Sequence, residues 1–298
     1  MKIVNRDGLP IELFNAVCHN WYGGANEVRD WSVTELINPI RVTLLQKRHD
    51  SEIEVEASQL LWAMLGSAMH IVLERGSEDK KKYLTESRFK TILNDKIISG
   101  GVDIFDLEEN KIADYKFQTV WNYIYLDDHI ENLQLQVSFY KELLERHGNK
   151  VNSAQIIYLF RDYQSYMTKN NPNYPKQSWA VVDIDFLPNP EEVMKQKITE
   201  IEKYKDVPDT ELPLCTHRQR WQKYPTYVFK AGNKIVRRIE LENEEAEATA
   251  RQYIEEHPEY KYELVKEQPK RCPKYCNGRN FCDFYINEVL PYLDQVQE

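Results

Sequence analysis

Between residues 97 and 118 the chain reads "IISGGVDIFDLEENKIADYKFQ", two runs of alternating apolar and polar positions around a polar turn at Glu108 to Asn110. That period of two predicts a pair of strands joined as a hairpin. Upstream, "EASQLLWAMLGSAMHIVLERG" predicts a long helix closed by Gly76, followed by a strand over Ser87 to Leu93. Downstream, "LDDHIENLQLQVSFYKELLERHG" predicts an amphipathic helix with a glycine stop at Gly148. "SAQIIYLFRDY" and "SWAVVDIDFL" read as strands around a polar loop, and Pro190 with Glu191 and Glu192 opens another helix. Near the start, Ser32 and Glu35 have the spacing of a capping box, and Pro39 breaks or restarts that helix. Residues 1 to 30 read as irregular, with "WYGGANEVRD" as a loop. The alternation of helices and strands predicts an α/β layered core.

Past the core the pattern changes. "TYVFKAGNKIVRRIEL" holds a Gly-Asn turn between alternating strands, and "NEEAEATARQYIEEH" is a capped helix, so 226–257 reads as a small ββα unit. "KRCPKYCNGRNFCDFY" then follows as a cysteine-rich element of metal-binding type. The expected division is a core over 1–210 and an appended unit over 211–298.

Composition narrows the class. The 298 residues suffice for a sizeable core, and the 42% hydrophobic and 29% charged shares are ordinary for a globular chain. No apolar run reaches the roughly 18 residues of a membrane span, and "MKIVNRDGLPIELF" lacks the apolar core of a signal peptide, so a cytoplasmic protein without a membrane partner is expected. The net charge of -9 argues against coating nucleic acid by bulk electrostatics. It leaves room for a local basic grip, because carboxylates gathered at a metal site also raise the acidic count.

In the hairpin, Asp114, Lys116 and Gln118 share one strand face, while Ala113, Tyr115 and Phe117 take the other. If the turn pairs the two strands, Asp103 faces Asp114. Two half-buried carboxylates repel, and a divalent cation relieves both the repulsion and the desolvation, with oxygen ligands suiting Mg2+ or Mn2+. Lys116 beside it would orient a water or stabilise charge on a phosphate. The plainer alternative is a surface hairpin with a weak ion pair. Gly66, His70 and Glu74 follow at steps of four along one helical face, which makes His70 either a core histidine or a third ligand. Glu86 is a weaker candidate, through a water or at a second ion. Gln136 and Tyr140 share a helix face and would aim an amide and a phenol at the lysine or a phosphate.

Taken in order, His70 in "GSAMH", Glu86, Asp103 in "GGVD", Asp114 to Lys116 in "DYK", and Gln136 to Tyr140 in "QVSFY" resemble the PD-(D/E)xK nuclease superfamily and its RecB-like exonuclease branch, over about residues 30 to 185. "WSVTELINPIR" also looks like the lead-in of phage-encoded members. The resemblance implies a restriction-endonuclease-like core, a central mixed sheet flanked by helices. It also implies Mg2+ or Mn2+ held by His70, Asp103, Asp114 and the backbone carbonyl of Tyr115. Lys116 would then orient the attacking water, and Gln136 and Tyr140 would support the site or contact substrate. The implied activity is exonucleolytic DNA hydrolysis in recombination, repair or phage replication, with an endonuclease, a flap- or junction-cutting enzyme, or a non-catalytic DNA-binding or assembly module as rivals. DNA is the implied partner, and a single-strand annealing protein or helicase is what the family adds.

Cys272, Cys276 and Cys282 supply three of four thiolates for a tetrahedral site. Several RecB-like nucleases carry a 4Fe-4S cluster with one cysteine before the core and three after it. Here the first C-terminal spacing is longer than that pattern, and Cys18 and Cys215 compete for the fourth place. Cys215 is preferred because it starts the appended unit and would staple its two ends, leaving Cys18 as a small buried residue. Four thiolates suit zinc or an iron-sulfur cluster alike, and the resemblance favours 4Fe-4S.

Overall fold

The computed structural model describes residues 1–19, 28–77, 79 and 81–296, in two compact units, Met1–Val207 and Pro208–Glu298. Most of the expected "WYGGANEVRD" loop lies outside the described residues.

The first unit opens with β1 (Lys2–Val4), α1 (Ile11–Cys18) and the short β2 (Trp31–Ser32), so the expectation of an irregular start is corrected. Ser32 caps α2 (Val33–Ile37) through a complete capping box: its Oγ accepts the Glu35 N–H at 3.2 Å, and its own N–H donates to Glu35 Oε2 at 2.7 Å. After Pro39 the chain resumes as α3 (Ile40–Arg48), then β3 (Glu54–Glu56), which pairs in parallel with β1. There follow α4 (Leu61–Gly76), β4 (Tyr83–Leu93), β5 (Lys96–Asp106), β6 (Lys111–Gln118) and α5 (Val120–Ile124). The unit ends with α6 (Ile130–Arg146), β7 (Ser153–Phe160), β8 (Trp179–Asp183) and α7 (Pro190–Tyr204).

Six strands form one mixed sheet in the order β2-β5-β6-β7-β8, with β4 on the other edge of β5. The β6–β7 and β2–β5 pairs are parallel, whereas β4–β5, β5–β6 and β7–β8 are antiparallel. Helices cover both faces. The Tyr115 ring meets His70 of α4, while its neighbours Asp114 and Lys116 contact Gln136 of α6, and alternate strand residues point to opposite faces. Gly100 lets α2 and α6 seat on β5, because a Cβ there would lie 2.7 Å from Leu143 Cδ1 and 2.9 Å from Val33 Cγ2. The core around this contact includes the fully buried Leu36, Ile98, Val137, Phe139, Leu143 and Ile156.

The second unit holds an antiparallel sheet of β9 (Thr226–Ala231), β10 (Lys234–Glu240) and a third strand that the ββα expectation omits. After α8 (Glu244–Glu256), β11 (Lys261–Val265) returns to pair with β9, so the unit is ββαβ. β11 is missed because its side chains are all exposed and its alternation marks no buried face. Phe229, Ile239 and Ala250 form the core beneath α8. The tail adds α9 (Arg271–Tyr275), a π-helical turn at Tyr285–Val289, and α10 (Leu290–Val296). Among the described residues no helix is long and apolar enough to cross a membrane.

Candidate active site

One edge of β5 is shared by two strands. β2 pairs with it at Ile98 and Ser99, and β6 at Ile104, Phe105 and Asp106, so among the described residues the ladder skips 100–103. A strand edge left unpaired exposes backbone groups and room beside them. Here the fork opens a cleft of about 300 Å3, lined among others by Ser32, His70, Arg88, Asp103, Asp114 and Lys116.

The β5–β6 ladder stops at Ile104–Ala113, one step short of setting Asp103 against Asp114. Asp103 instead turns its carboxylate into the fork, where Oδ2 accepts the Tyr115 backbone N–H at 2.8 Å and Oδ1 lies 3.7 Å from His70 Nδ1. His70 Nδ1 is also 3.0 Å from Glu86 Oε1. Ligand atoms of His70, Glu86 and Asp103 all fall within 4.8 Å of one another, a spacing one cation can bridge. Glu86, the weaker candidate from sequence, thus joins the cluster. Its backbone is left-handed at φ 44°, a conformation costly for a glutamate, and such strain concentrates where a side chain must be aimed.

Asp114 faces the other way. Its side chain is 2% exposed, Oδ1 accepts from Gln136 Nε2 at 2.9 Å, and Oδ2 lies 2.6 Å from Lys116 Nζ. Among the described residues Oδ2 is buried and has no hydrogen-bond partner, and the Lys116 ammonium compensates it as an ion pair. Gln136 ties the group together: its Oε1 accepts from Lys116 Nζ at 3.1 Å, and its Nε2 also donates to the Tyr140 hydroxyl at 3.0 Å.

Burial and neighbouring carboxylates shift several titratable groups of the cleft. Burial, and then the charge of Asp114, push the Asp103 carboxyl up to about 7, against smaller opposing pulls from His70, the Tyr115 N–H and Lys116. The hydrogen bond to Glu86, helped by Asp103 and Asp114, raises the His70 imidazole despite its burial. Burial, then the Asp114 charge, also raise the Tyr140 and Tyr158 phenols. Burial leads three of these four shifts, and the charge of Asp114 adds to all of them. The three-donor cluster of His70, Glu86 and Asp103 fits a divalent cation, and Asp114, ion-paired with Lys116, lines the same cleft as a further carboxylate. The carbonyl of Tyr115 belongs to the same strand segment. Arg88, two residues beyond Glu86, lines the cleft as well. It escapes a reading of the sequence because "ESRFK" resembles any charged strand.

In the second unit Cys276 and Cys282 are buried, and Cys215 and Cys272 are half-buried. Burial, then the thiols of Cys276, Cys215 and Cys282, push the Cys272 thiol up to about 12. The four are therefore neighbours. Cys18 lies in the other unit and is exposed, so the expectation of a small buried residue is corrected: it ends α1, which buries none of its side chains. Arg220 is 8% exposed and stacks 4.4 Å over the Phe284 ring; burial lowers its pKa, opposed by electrostatic coupling to Cys272, Cys215 and Cys282, which sets it beside the thiols. Among the described residues no three cysteine sulfurs lie within 4.8 Å of one another, wider than the ~3.8 Å that tetrahedral zinc-thiolate bonds of ~2.3 Å impose.

No protein-family model and no curated protein matches the chain. Among solved structures, the crystal structure of SSO0001 is similar with a TM-score of 0.46 at 14% identity, covering 66% of this chain and 87% of that one. A phage related exonuclease from Haemophilus somnus 129PT is similar with a TM-score of 0.31 at 14% identity, covering 65% of this chain and 80% of that one.

Proposed function

We propose that the chain is a Mg2+- or Mn2+-dependent DNA nuclease of the RecB-like PD-(D/E)xK kind, acting as an exonuclease in recombination, repair or phage replication. The carrying observation is the junction, in one cleft, of the His70–Glu86–Asp103 donor cluster with the Lys116–Asp114 ion pair. The ordered motifs from "GSAMH" to "QVSFY" supply the choice of exonuclease.

The divalent ion, held by His70, Glu86, Asp103 and Asp114 with the Tyr115 carbonyl, would polarise a phosphate oxygen and screen the carboxylates. The chain's own residues do the rest. Lys116, fixed between Asp114 and Gln136, holds a positive charge in the cleft that would orient an attacking water and stabilise negative charge growing on the phosphate. Gln136 keeps both partners in place, and the buried Tyr140 keeps Gln136 in place. Arg88 offers a second cation to the phosphate from the cleft wall. The four cysteines of the second unit would hold a 4Fe-4S cluster as a structural staple, with Arg220 offsetting its negative charge.

The reading is tested by incubating the protein with end-labelled linear DNA and with closed circular DNA, in Mn2+ and in EDTA. Metal-dependent release of nucleotides from linear DNA alone supports it. Nicking of closed circles would make the enzyme an endonuclease, and DNA binding without hydrolysis in any divalent ion would overturn the nuclease reading.

A further inference from the structure

Gly66 sits in the middle of α4, between Trp62 and His70 at steps of four residues. A glycine inside a helix is less stable there than alanine, because it loses more backbone freedom on folding. At Gly100 packing explains the missing side chain, but a Cβ added at Gly66 would meet nothing within 4 Å. Among the described residues no protein group requires this glycine, and the open space over it adjoins His70, four residues on. One end of that trough is therefore His70, and the other is Trp62, about 12 Å away along the helix axis.

Trp62 is 54% exposed, and the Arg161 guanidinium lies 4.3 Å over its ring. Arg161 follows directly on β7, where its backbone N–H donates to the Gln118 carbonyl at 3.0 Å. Gln118 is two residues beyond Lys116 and ends β6. The next turn, α5, is bolted to the same place: Asp162 Oδ1 accepts the Val120 N–H at 2.7 Å, and Asn122 Nδ2 donates to Gln118 Oε1 at 2.7 Å. That turn presents Trp121, 43% exposed, and Tyr125, 58% exposed, with their rings stacked at 6.1 Å and 21°. The ends of β6 and β7 thus gather three exposed aromatic rings and an arginine next to the catalytic cleft.

We propose that this surface is a track for an unpaired nucleic-acid strand, running from His70 over Gly66 to the Trp62–Arg161 stack and the Trp121–Tyr125 pair. Flat exposed rings accept the faces of unstacked bases of any sequence, and an arginine lying on one of them offers its edge to the backbone phosphate. A duplex keeps its base faces covered and cannot use such rings. The inference rests on the nuclease reading for its direction, since it takes the strand to be the one delivered to Lys116.

The experiment separates the two. Binding of a fluorescent oligothymidine and of a duplex of equal length is measured by anisotropy in EDTA, where hydrolysis is silent, for the wild type, Trp62→Ala, Trp121→Ala and Gly66→Leu. The expected result is tight single-strand binding that quenches tryptophan fluorescence, weakened roughly 5- to 150-fold by each tryptophan substitution. Gly66→Leu should weaken it as well while holding or raising Tm, which separates a blocked track from a damaged fold. Duplex binding should change little. Unchanged oligothymidine affinity in Trp62→Ala and Trp121→Ala, or self-association that the same substitutions abolish, would overturn the track. If linear DNA is digested by a wild type that ignores oligothymidine, the track fails and the nuclease stands. If oligothymidine binds through the tryptophans and no DNA is digested, the nuclease reading fails and the track stands.

Discussion

Lys116 Nζ lies 2.6 Å from Asp114 Oδ2, an oxygen that is buried and accepts no hydrogen bond. The ammonium is the nearest compensation for that charge, and removing one partner of a buried pair strands the other. Lys116→Ala should therefore destabilise the metal-free chain by about 3 kcal/mol in urea titration, and millimolar Mn2+ should restore part of the loss. Lys116→Arg should keep stability better than it keeps activity, because the flat guanidinium cannot reproduce the lysine's point charge between Asp114 and Gln136.

Gly100, which lines the cleft, and Gly66, in the middle of α4, predict opposite outcomes. Gly100→Ala forces a methyl to within 2.7 Å of Leu143 and 2.9 Å of Val33, where α2 and α6 meet β5. It should cost about 1–3 kcal/mol, as overpacking does. Gly66→Ala meets no neighbour among the described residues and should stabilise by roughly 0.5–1 kcal/mol. Thermal melts of the two variants check both signs.

Proton uptake gives a third test. Folded, Asp103 holds its proton up to about pH 7 rather than losing it near 3.8, and His70 holds its proton above its ordinary 6.5. From about pH 4 to 7 the folded chain therefore holds an Asp103 proton that the unfolded chain has lost, and above 6.5 His70 adds to the difference, so stability falls as pH rises through that range in EDTA. Asp103→Asn should flatten the Asp103 part of that slope. The Tm gained on adding Mn2+ should grow over the same interval, because protons must leave before the donors bind.

Much of this architecture is legible in local pattern. The Ser32–Glu35 capping box, the hairpin, the Pro190 helix start and the Gln136–Tyr140 pair each depend on residues within four positions or one turn of one another. What escapes is non-local. β1 is invisible because its only signal is a partner fifty-two residues away, Lys2 beside Glu54. The fork at β5 arises because β2 and β6 share one edge, which no alternation of a single strand encodes. Glu86 enters the donor cluster through a left-handed backbone at a non-glycine residue, a tertiary choice that local propensity opposes.

The cysteine site predicts colour. Protein purified without oxygen should be brown, with broad visible absorption that Cys215→Ser and Cys276→Ser abolish and Cys18→Ser leaves intact. A colourless protein with one zinc per chain would assign the four thiols to zinc instead. Arg220→Gln should make the cluster harder to reduce in a potentiometric titration, since a nearby cation favours the more negative state.

The most direct measurement is the digestion of end-labelled linear DNA in Mn2+ by the wild type, Asp103→Asn, Asp114→Asn and Lys116→Ala, with folding of each checked by circular dichroism. The account predicts release of labelled nucleotides by the wild type alone, lost in EDTA and reduced at least 100-fold in each folded variant. Undiminished digestion by Asp114→Asn or Lys116→Ala, or none by the folded wild type in any divalent ion, would contradict it.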